Sequence, residues 1–572
     1  MRAQRTSLGW IVIGYLSLSA SACAAARTSG DAGTGTGSGG DTSSGGSAQA
    51  TSSGEGGSGS QSSATTTSAG QGGAATTTSG AGGNSSTTSS STTTSGQGGA
   101  GATTSSSAST SSSTGTGGTT LSGGAVVWSR VYGDVDPAQQ GVIHDHSVTG
   151  IAVDSAGYVY IAGAFSTSMD FGPAGQLQHT PGGTVEAFLA KIAPSGAPLW
   201  AKHFGGSNGT KAAANAVDVD AQGNVTIVGN VAGSINFGGA TFSSTSNQNI
   251  FVASFDSNGN YRYSKGFTGS GSSYPNAMAV NANGDIAFTG LLGGAVTFGG
   301  NNLSAQDTSD LFVVKLDAMG NHLMSKRFGG SGLQAGTSVA FSAAGDIVLG
   351  GYAAGTIDFG GNPLTATGAS CSTAVAKLNG TTGAHLWSKL FDHGTTSDCS
   401  RHRVAVDPGD NVLVSVTSNF DQSIQVDFGG GVRTGNFFVL KFSSAGSHLW
   451  SRGWGNPRGI NDLATDAAGN VLITGLMSKP LDFDTGILTP FDGFDGFIAK
   501  LDPQGNGLWA RAVSDSNQQS NTQWGEAIAA DAAGSVFTTG RLAGAIDLGD
   551  GELLAEKGFS SSNDVYLARF TP

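Results

Sequence analysis

Three groups of residues in this chain are of a type and spacing to do chemistry. Asp358, Phe359 and Gly360 set a carboxylate directly ahead of a glycine turn, an arrangement able to hold a magnesium ion. His144 and His146 flank Asp145, and an H-x-H pair ligates zinc or copper when a third ligand approaches. Asp154, Asp220, Asp407, Asp466 and Asp531 each precede a glycine-containing turn, as calcium loops do. Which of these is chemistry and which is architecture depends on the elements that carry them.

Those elements repeat. The phrase "LWSKLF" around Trp387 has counterparts at Trp128, Trp200, Tyr263, Met324, Trp450 and Trp509, which divides the chain from Val126 onward into seven units of 59 to 72 residues. Each unit carries the same signals in order. A short apolar strand ends in an Asp- or Asn-led turn ("VAVDPGDN", "VDVDAQGN"), and a second strand follows ("NVLITG"). A long connection then contains "IDFGG" or a variant, and two strands joined by another tight turn close the unit ("GFIAKLD", then "LWAR"). Val, Ile and Phe alternate with polar residues and no long 3.6-residue pattern is present, so the reading is all-β.

Seven four-stranded antiparallel units predict a seven-bladed β-propeller, each unit forming one blade around a central channel. The strands of a blade are lettered a to d from the axis outwards. The chain begins on a d strand, Val126 to Tyr132, and ends on a c strand that lacks its partner, so the N-terminal strand is expected to complete the last blade and close the ring. Antiparallel order puts the a–b and c–d turns on one face and the long b–c and d–a loops on the other, where function is expected.

The repeat also supplies an internal control: a residue held in one column of most blades serves the blade, and a polar residue that breaks its column needs another explanation. Asp358 aligns with Asp170, Asn236, Thr297, Asp427, Asp482 and Asp547. A catalytic metal ligand is needed once, not in every blade, and does not change to Asn or Thr, so the D-F-G letters mark a loop with a Phe plug. The turn aspartates share their column with Asn281 and Ser342 and are likewise structural. Lys191, Lys315, Lys377, Lys441, Lys500 and Arg569 form one column of strand c, and seven further basic residues form one column of strand d. His322, His385 and His448 share a column in the c–d turn. No metal site and no cofactor are expected.

Strand a is more informative. Thr149, Asn215, Asn276, Thr337, His402, Asn461 and Glu526 form a polar ring at the loop-face mouth of the channel, either bonding the incoming loops or receiving a ligand. One residue on, a column of small residues is broken by Arg403 and Asp462, and Asp218 interrupts a column of alanines. Together with His402, Glu526 and the loop residues Trp454, Arg458 and Trp524, which have no counterparts, these make the candidate ligand site. Charges beside an aromatic platform suit a sugar or a peptide. Asp462 and Glu526 also form a carboxylate pair of the kind a polysaccharide hydrolase or lyase uses.

Ahead of the repeats, residues 1 to 22 run from basic (Arg2, Arg5) through apolar ("LGWIVIGYLSL") to small residues, the layout of an export signal. "SASA" followed by Cys23 resembles a bacterial lipoprotein signal, with Ala20 where leucine is favoured. That resemblance implies lipidation at Cys23 and, with Ala24 next, passage to the outer membrane; plain cleavage after Ala-Ser-Ala is the alternative. Residues 23–124 are almost wholly Ser, Thr, Gly and Ala, too polar to fold, and read as a disordered stalk with an end-to-end distance of about 50 to 60 Å. Without the leader, 24 basic residues face 39 acidic ones, a net charge of −15 that argues against nucleic-acid binding. With Cys23 lipidated, Cys371 in the b–c loop of the fourth blade and Cys399 in the next d–a loop form an even pair on one face, a feasible disulfide or else two free thiols.

The recurring "AVDxxGNVxxxG", "DxFVAKLDxxGxxLW" and "SKxFGG" patterns resemble the bacterial SBBP-type β-propeller repeat, over residues 125 to 572. The resemblance implies display at the cell surface and a binding or structural role, and it carries no catalytic residues. The expectation is a monomeric, non-enzymatic surface protein held to the membrane by its N-terminal lipid and binding a glycan or a protein. A propeller enzyme acting on polysaccharide and a structural envelope component without a ligand are the alternatives.

Overall fold

A computed structural model describes residues 123–572 except 134–145, 207–208, 244–248, 368–370, 393–401, 419–422, 456–457, 492–493, 515–522, 550–551 and 555–562. The segments read as an export leader and a stalk up to residue 122, with Cys23, and likewise His144 and Cys399, lie outside the described residues.

Seven antiparallel sheets stand in chain order, each pairing a with b, b with c and c with d. Blade 1 spans Ser147–Phe204 and blade 6 spans Gly459–Val513, with the intervening blades in sequence between them. Blade 7 takes its a, b and c strands from Gln523–Ala530, Val536–Leu542 and Asp564–Phe570, and its d strand is Val126–Tyr132 from the start of the repeats. The ring therefore closes as the repeat predicts. The b and c strands are buried on both faces, as Val159–Phe165 and Glu186–Ile192 illustrate, because each is sandwiched between neighbouring blades. Accordingly the apolar clusters straddle seams, one of them running from Ala152 and Tyr160 of blade 1 to Phe251 and Phe255 of blade 2.

The basic column of strand c turns out to fasten the seams. In strand c, Lys191 Nζ donates to Ser257 O at 2.9 Å, Lys441 Nζ to Pro503 O at 3.0 Å, and Arg569 Nη1 to Pro194 O at 3.0 Å, each reaching the c–d turn of the next blade. The strand d indoles of Trp200, Trp450 and Trp128 donate to the same three carbonyls. Arg569 and Trp128 thus hold blade 7 to blade 1 by the device that joins the other blades. The turn aspartates are Asx turns: Asp154 Oδ1 accepts the amides of Ala156 and Tyr158 at 3.0 and 2.9 Å.

The structure adds one element per blade that the repeat leaves as a loop. The "DFGG" segments are not loops but two-stranded hairpins, such as Ser168–Asp170 paired with Gln176–Gln178; in blade 4 the first strand is continuous with strand b over Ile347–Ile357. Asp358 Oδ1 accepts the Gly360 amide at 2.7 Å, so the aspartate shapes the turn. Gly360 has φ of +94°, a conformation that favours glycine. A Cβ on the following Gly361 would stand 2.6 Å from the His385 ring, so that ring occupies its side-chain space. His322, His385 and His448 are accordingly the first residues of strand d rather than turn residues.

Phe359 and its equivalents are buried in every blade, Leu548 included. Each wedges into a seam. Phe237 sits 5.0 Å from Phe204 of the preceding blade and 4.8 Å from Phe251 of its own strand c, between ring centroids. Phe298 repeats this with Phe267 and Phe312, and Phe428 with Phe391 and Phe438.

Candidate functional site

The polar ring is built on a backbone irregularity. In six blades the a–b ladder slips by one residue, and the bulged residues are Thr149, Asn215, Asn276, Thr337, Asn461 and Glu526. A bulge re-aims one side chain without disturbing the strand on either side. Here it turns that side chain toward the next blade. Thr149 donates to Ala214 O at 2.5 Å, Asn215 to Pro275 O at 2.7 Å, Asn276 to Gly336 O at 2.8 Å, Thr337 to His402 O at 2.6 Å and Asn461 to Gly525 O at 2.7 Å. Five ring members are therefore clips between inner strands, and they bond the adjacent strand rather than the incoming loops.

The two remaining members depart from the pattern. His402 is fully buried, and its Nδ1 lies 3.1 Å from Thr373 Oγ1 of blade 4, so it offers nothing to a ligand in the channel. Glu526 carries only acceptors and cannot donate to a carbonyl. Its Oε1 instead lies 3.3 Å from Arg541 Nε on strand b of its own blade. Arg541 is buried where the other blades carry Ala164, Asn230, Leu291, Tyr352, Thr417 and Leu476, and its guanidinium stands 5.6 Å from the centre of the Trp524 ring. The same column test, applied to strand b, would have singled Arg541 out from the sequence.

Beside this pair lies a second one. Arg403 Nε is 4.0 Å from Asp462 Oδ1, with both side chains about a quarter exposed. Asp462 Oδ2 accepts the Ile528 amide of blade 7 at 2.9 Å, the role that Ser338 Oγ plays for the Val404 amide at 3.0 Å. Burial pushes the Asp462 carboxyl above its ordinary range and the charge of Glu526 adds to the rise, against the opposing pull of Arg403 and two backbone amides. Arg403, Asp462, Glu526 and Arg541 thus form an array of cation, two anions and cation across blades 5 to 7, flanked by Trp524.

The other candidates are placed elsewhere. Asp218 lines the channel from blade 2, where its two oxygens accept the amides of Val219 at 2.8 Å and Val280 at 2.6 Å. Burial pushes its carboxyl up to about 6. Trp454 is not a loop residue: it ends strand His448–Trp454, in the column of Phe391, and packs 5.4 Å from Phe437 and 5.2 Å from Phe483 in the seam. Trp524 likewise lies in a strand, Gln523–Ala530. Arg458 holds its guanidinium 3.7 Å from the Phe494 ring centre. Cys371 is buried and disulfide-bonded, and the expected partner Cys399 is outside the described residues. No group of three or more metal-ligating side chains occurs among the described residues.

No family model and no curated protein matches the chain. Among solved structures, it is similar to the Neurospora crassa Pan2 WD40 domain at 9% identity and a TM-score of 0.37, over 78% of this chain and 98% of that one. It is similar to the Dos1 propeller at 9% and 0.35, over 74% and 93%, and to a europium-containing methanol dehydrogenase at 9% and 0.34, over 78% and 93%. Likenesses this distant say nothing of what the chain binds.

Proposed function

We propose that this chain is a non-enzymatic binding or adhesion protein of a bacterial cell surface, and that its ligand engages the channel mouth over blades 5 to 7. One observation carries the reading. At this level the inner strands of blades 1 to 4 carry uncharged clips followed by small residues, whereas Arg403 and Asp462 break the small-residue column in blades 5 and 6, Glu526 takes the clip position in blade 7, and Arg541 joins it from strand b, four charges beside an indole. Buried charge is costly to maintain, and hydrogen-bonding side chains do the clipping elsewhere in the same ring. Fixed cations and anions next to an aromatic edge suit a polar ligand such as a glycan or a peptide, whose orientation they would set. The export leader, the likeness to a lipoprotein signal at Cys23, the low-complexity stretch and the likeness to SBBP-type repeats are what support surface display.

The test is a glycan and peptide array probed with the full chain and with Arg403→Ala and Arg541→Ala. Binding weakened tenfold or more in both variants, without turnover, is the expected result. Binding unaffected by either change would remove the channel mouth as the site. The raised Asp462 carboxyl next to Glu526 favours one second reading, an acid and base pair acting on polysaccharide. Release of shortened products by the wild-type chain but not by Asp462→Asn would replace the first reading with that one.

A further inference from the structure

A second departure from the repeat lies far from the channel, on the outer rim of blade 5. In six of the seven hairpins the residue paired with the one before the Asp358 position is apolar. Leu177 faces Met169, Phe242 faces Ile235, Leu303 faces Val296, Leu364 faces Ile357, Leu488 faces Leu481 and Leu553 faces Ile546. Blade 5 alone has an arginine there, Arg433 opposite Val426. Arg433 is exposed, and its Nε donates to Ser451 Oγ of strand d at 3.1 Å.

The substitution coincides with a groove. A cavity of about 390 Å³ opens between blades 5 and 6, walled by Arg433, Thr434, Trp450, Arg452 and Gln504. A neighbouring cavity of about 420 Å³ shares Trp450 and Gln504 and continues onto the tight-turn face past Pro408 and Pro503. The indole nitrogen of Trp450 is already bonded to Pro503 O, so the ring is fixed in place and the apolar part of its edge lines the groove. Arg452 belongs to the basic column of strand d and donates to the Asn506 side chain; the carboxylate of Asp484 stands 3.6 Å away and is 69% exposed, a weak pair that a ligand can displace. Two guanidinium groups on one groove is unusual on a chain with 39 acidic and 26 basic residues.

We propose that this groove is a binding site for an anionic polysaccharide, distinct from the channel mouth. Arg433 and Arg452 take the anionic substituent through the paired N–H geometry that guanidinium groups offer to carboxylates and sulfates. Trp450 takes the apolar face of a sugar ring, and the Gln504 amide and the Thr434 hydroxyl meet ring hydroxyls. The two cavities end to end give the groove the extent of several sugar units rather than one.

The test uses the full chain in affinity electrophoresis and calorimetry against polygalacturonate, which carries carboxylates, dextran sulfate, which carries sulfates, and neutral dextran. The expected result is salt-sensitive binding to at least one polyanion and none to dextran. Arg433→Leu restores the residue type of the other blades, so it folds with a melting temperature at or above wild type. In that variant binding falls at least tenfold; in Arg452→Gln it falls several-fold; in Arg403→Ala it is unchanged. Which polyanion binds decides between carboxylate and sulfate. Binding to neither, equal binding to neutral dextran, or undiminished binding by Arg433→Leu overturns the proposal, as does loss of polyanion binding in Arg403→Ala alone.

Discussion

At the scale of single residues, the channel holds carboxylates whose stability effects run against the usual direction. The turn carboxyl of Asp466 is held low, because the Asn470 side chain, Lys500 and backbone amides outweigh its burial. Asp218 is pushed up to about 6 by burial, in spite of the Val280 and Val219 amides. A folded-state value above the ordinary 3.8 means that between about pH 4 and 6 the folded chain keeps a proton the unfolded chain has released. This contribution is full below pH 4 and is lost as the pH rises through 6. Urea unfolding of wild type and Asp218→Asn should therefore differ in slope across that window, by on the order of 1 to 3 kcal/mol in total, and run parallel outside it. Equal slopes would mean that the carboxylate ionises freely in the channel. Arg403 and Asp462 were legible as column breakers because the repeat gives six comparisons for each position. Arg541 and Arg433 break columns of strand b and of the hairpin in the same way, but only the fold shows that strand b reaches Glu526 and that the hairpin borders a groove. Trp454 misled for the opposite reason: an aromatic exchanged for Phe391 in its column is a change of size, not of role.

At the scale of elements, the hairpin explains why the "IDFGG" phrase is repeated so closely while neighbouring loops vary. Its strands are three residues or fewer in most blades, too short for alternation to show, so the sequence reveals a Phe and two glycines without revealing a pairing. The Phe does its work between blades, not within the loop. Phe359 is 2% exposed and lies 5.2 Å from Phe328 of the preceding blade. Phe359→Ala should cost about 3 kcal/mol, read as a lower denaturation midpoint with an unchanged slope. Gly361→Ala should cost less, because the obstacle is the His385 side chain and not backbone, and adding His385→Ala should recover most of the loss. A double variant as unstable as the sum of its parts would show that the His385 ring is not what demands glycine. The polar ring carries the same lesson in milder form: its composition predicts bonding, and only the bulge decides that the partner is the next strand.

At the scale of the whole molecule, the fold depends on joining the two ends of the repeat region. Val126–Tyr132 pairs with Asp564–Phe570 along its length, and Trp128 and Arg569 both reach Pro194 of blade 1. These contacts link positions more than 370 residues apart for Arg569 and some 440 for the paired strands, so forming them late and losing them first is expected of a closed ring. A chain beginning at Gly123 retains every described strand, and it should melt within a degree or two of the full chain. One beginning at Asp134 lacks strand d of blade 7. It leaves the c strand Asp564–Phe570 as an open edge and removes the Trp128 side of the final seam. That shorter chain should unfold well below the longer one, in a broader transition, and elute as aggregates on size-exclusion chromatography. If the two truncations melted alike, the N-terminal strand would be an ornament on a ring already closed by blades 1 to 6, and the single cooperative core implied by the seam contacts would have to be given up.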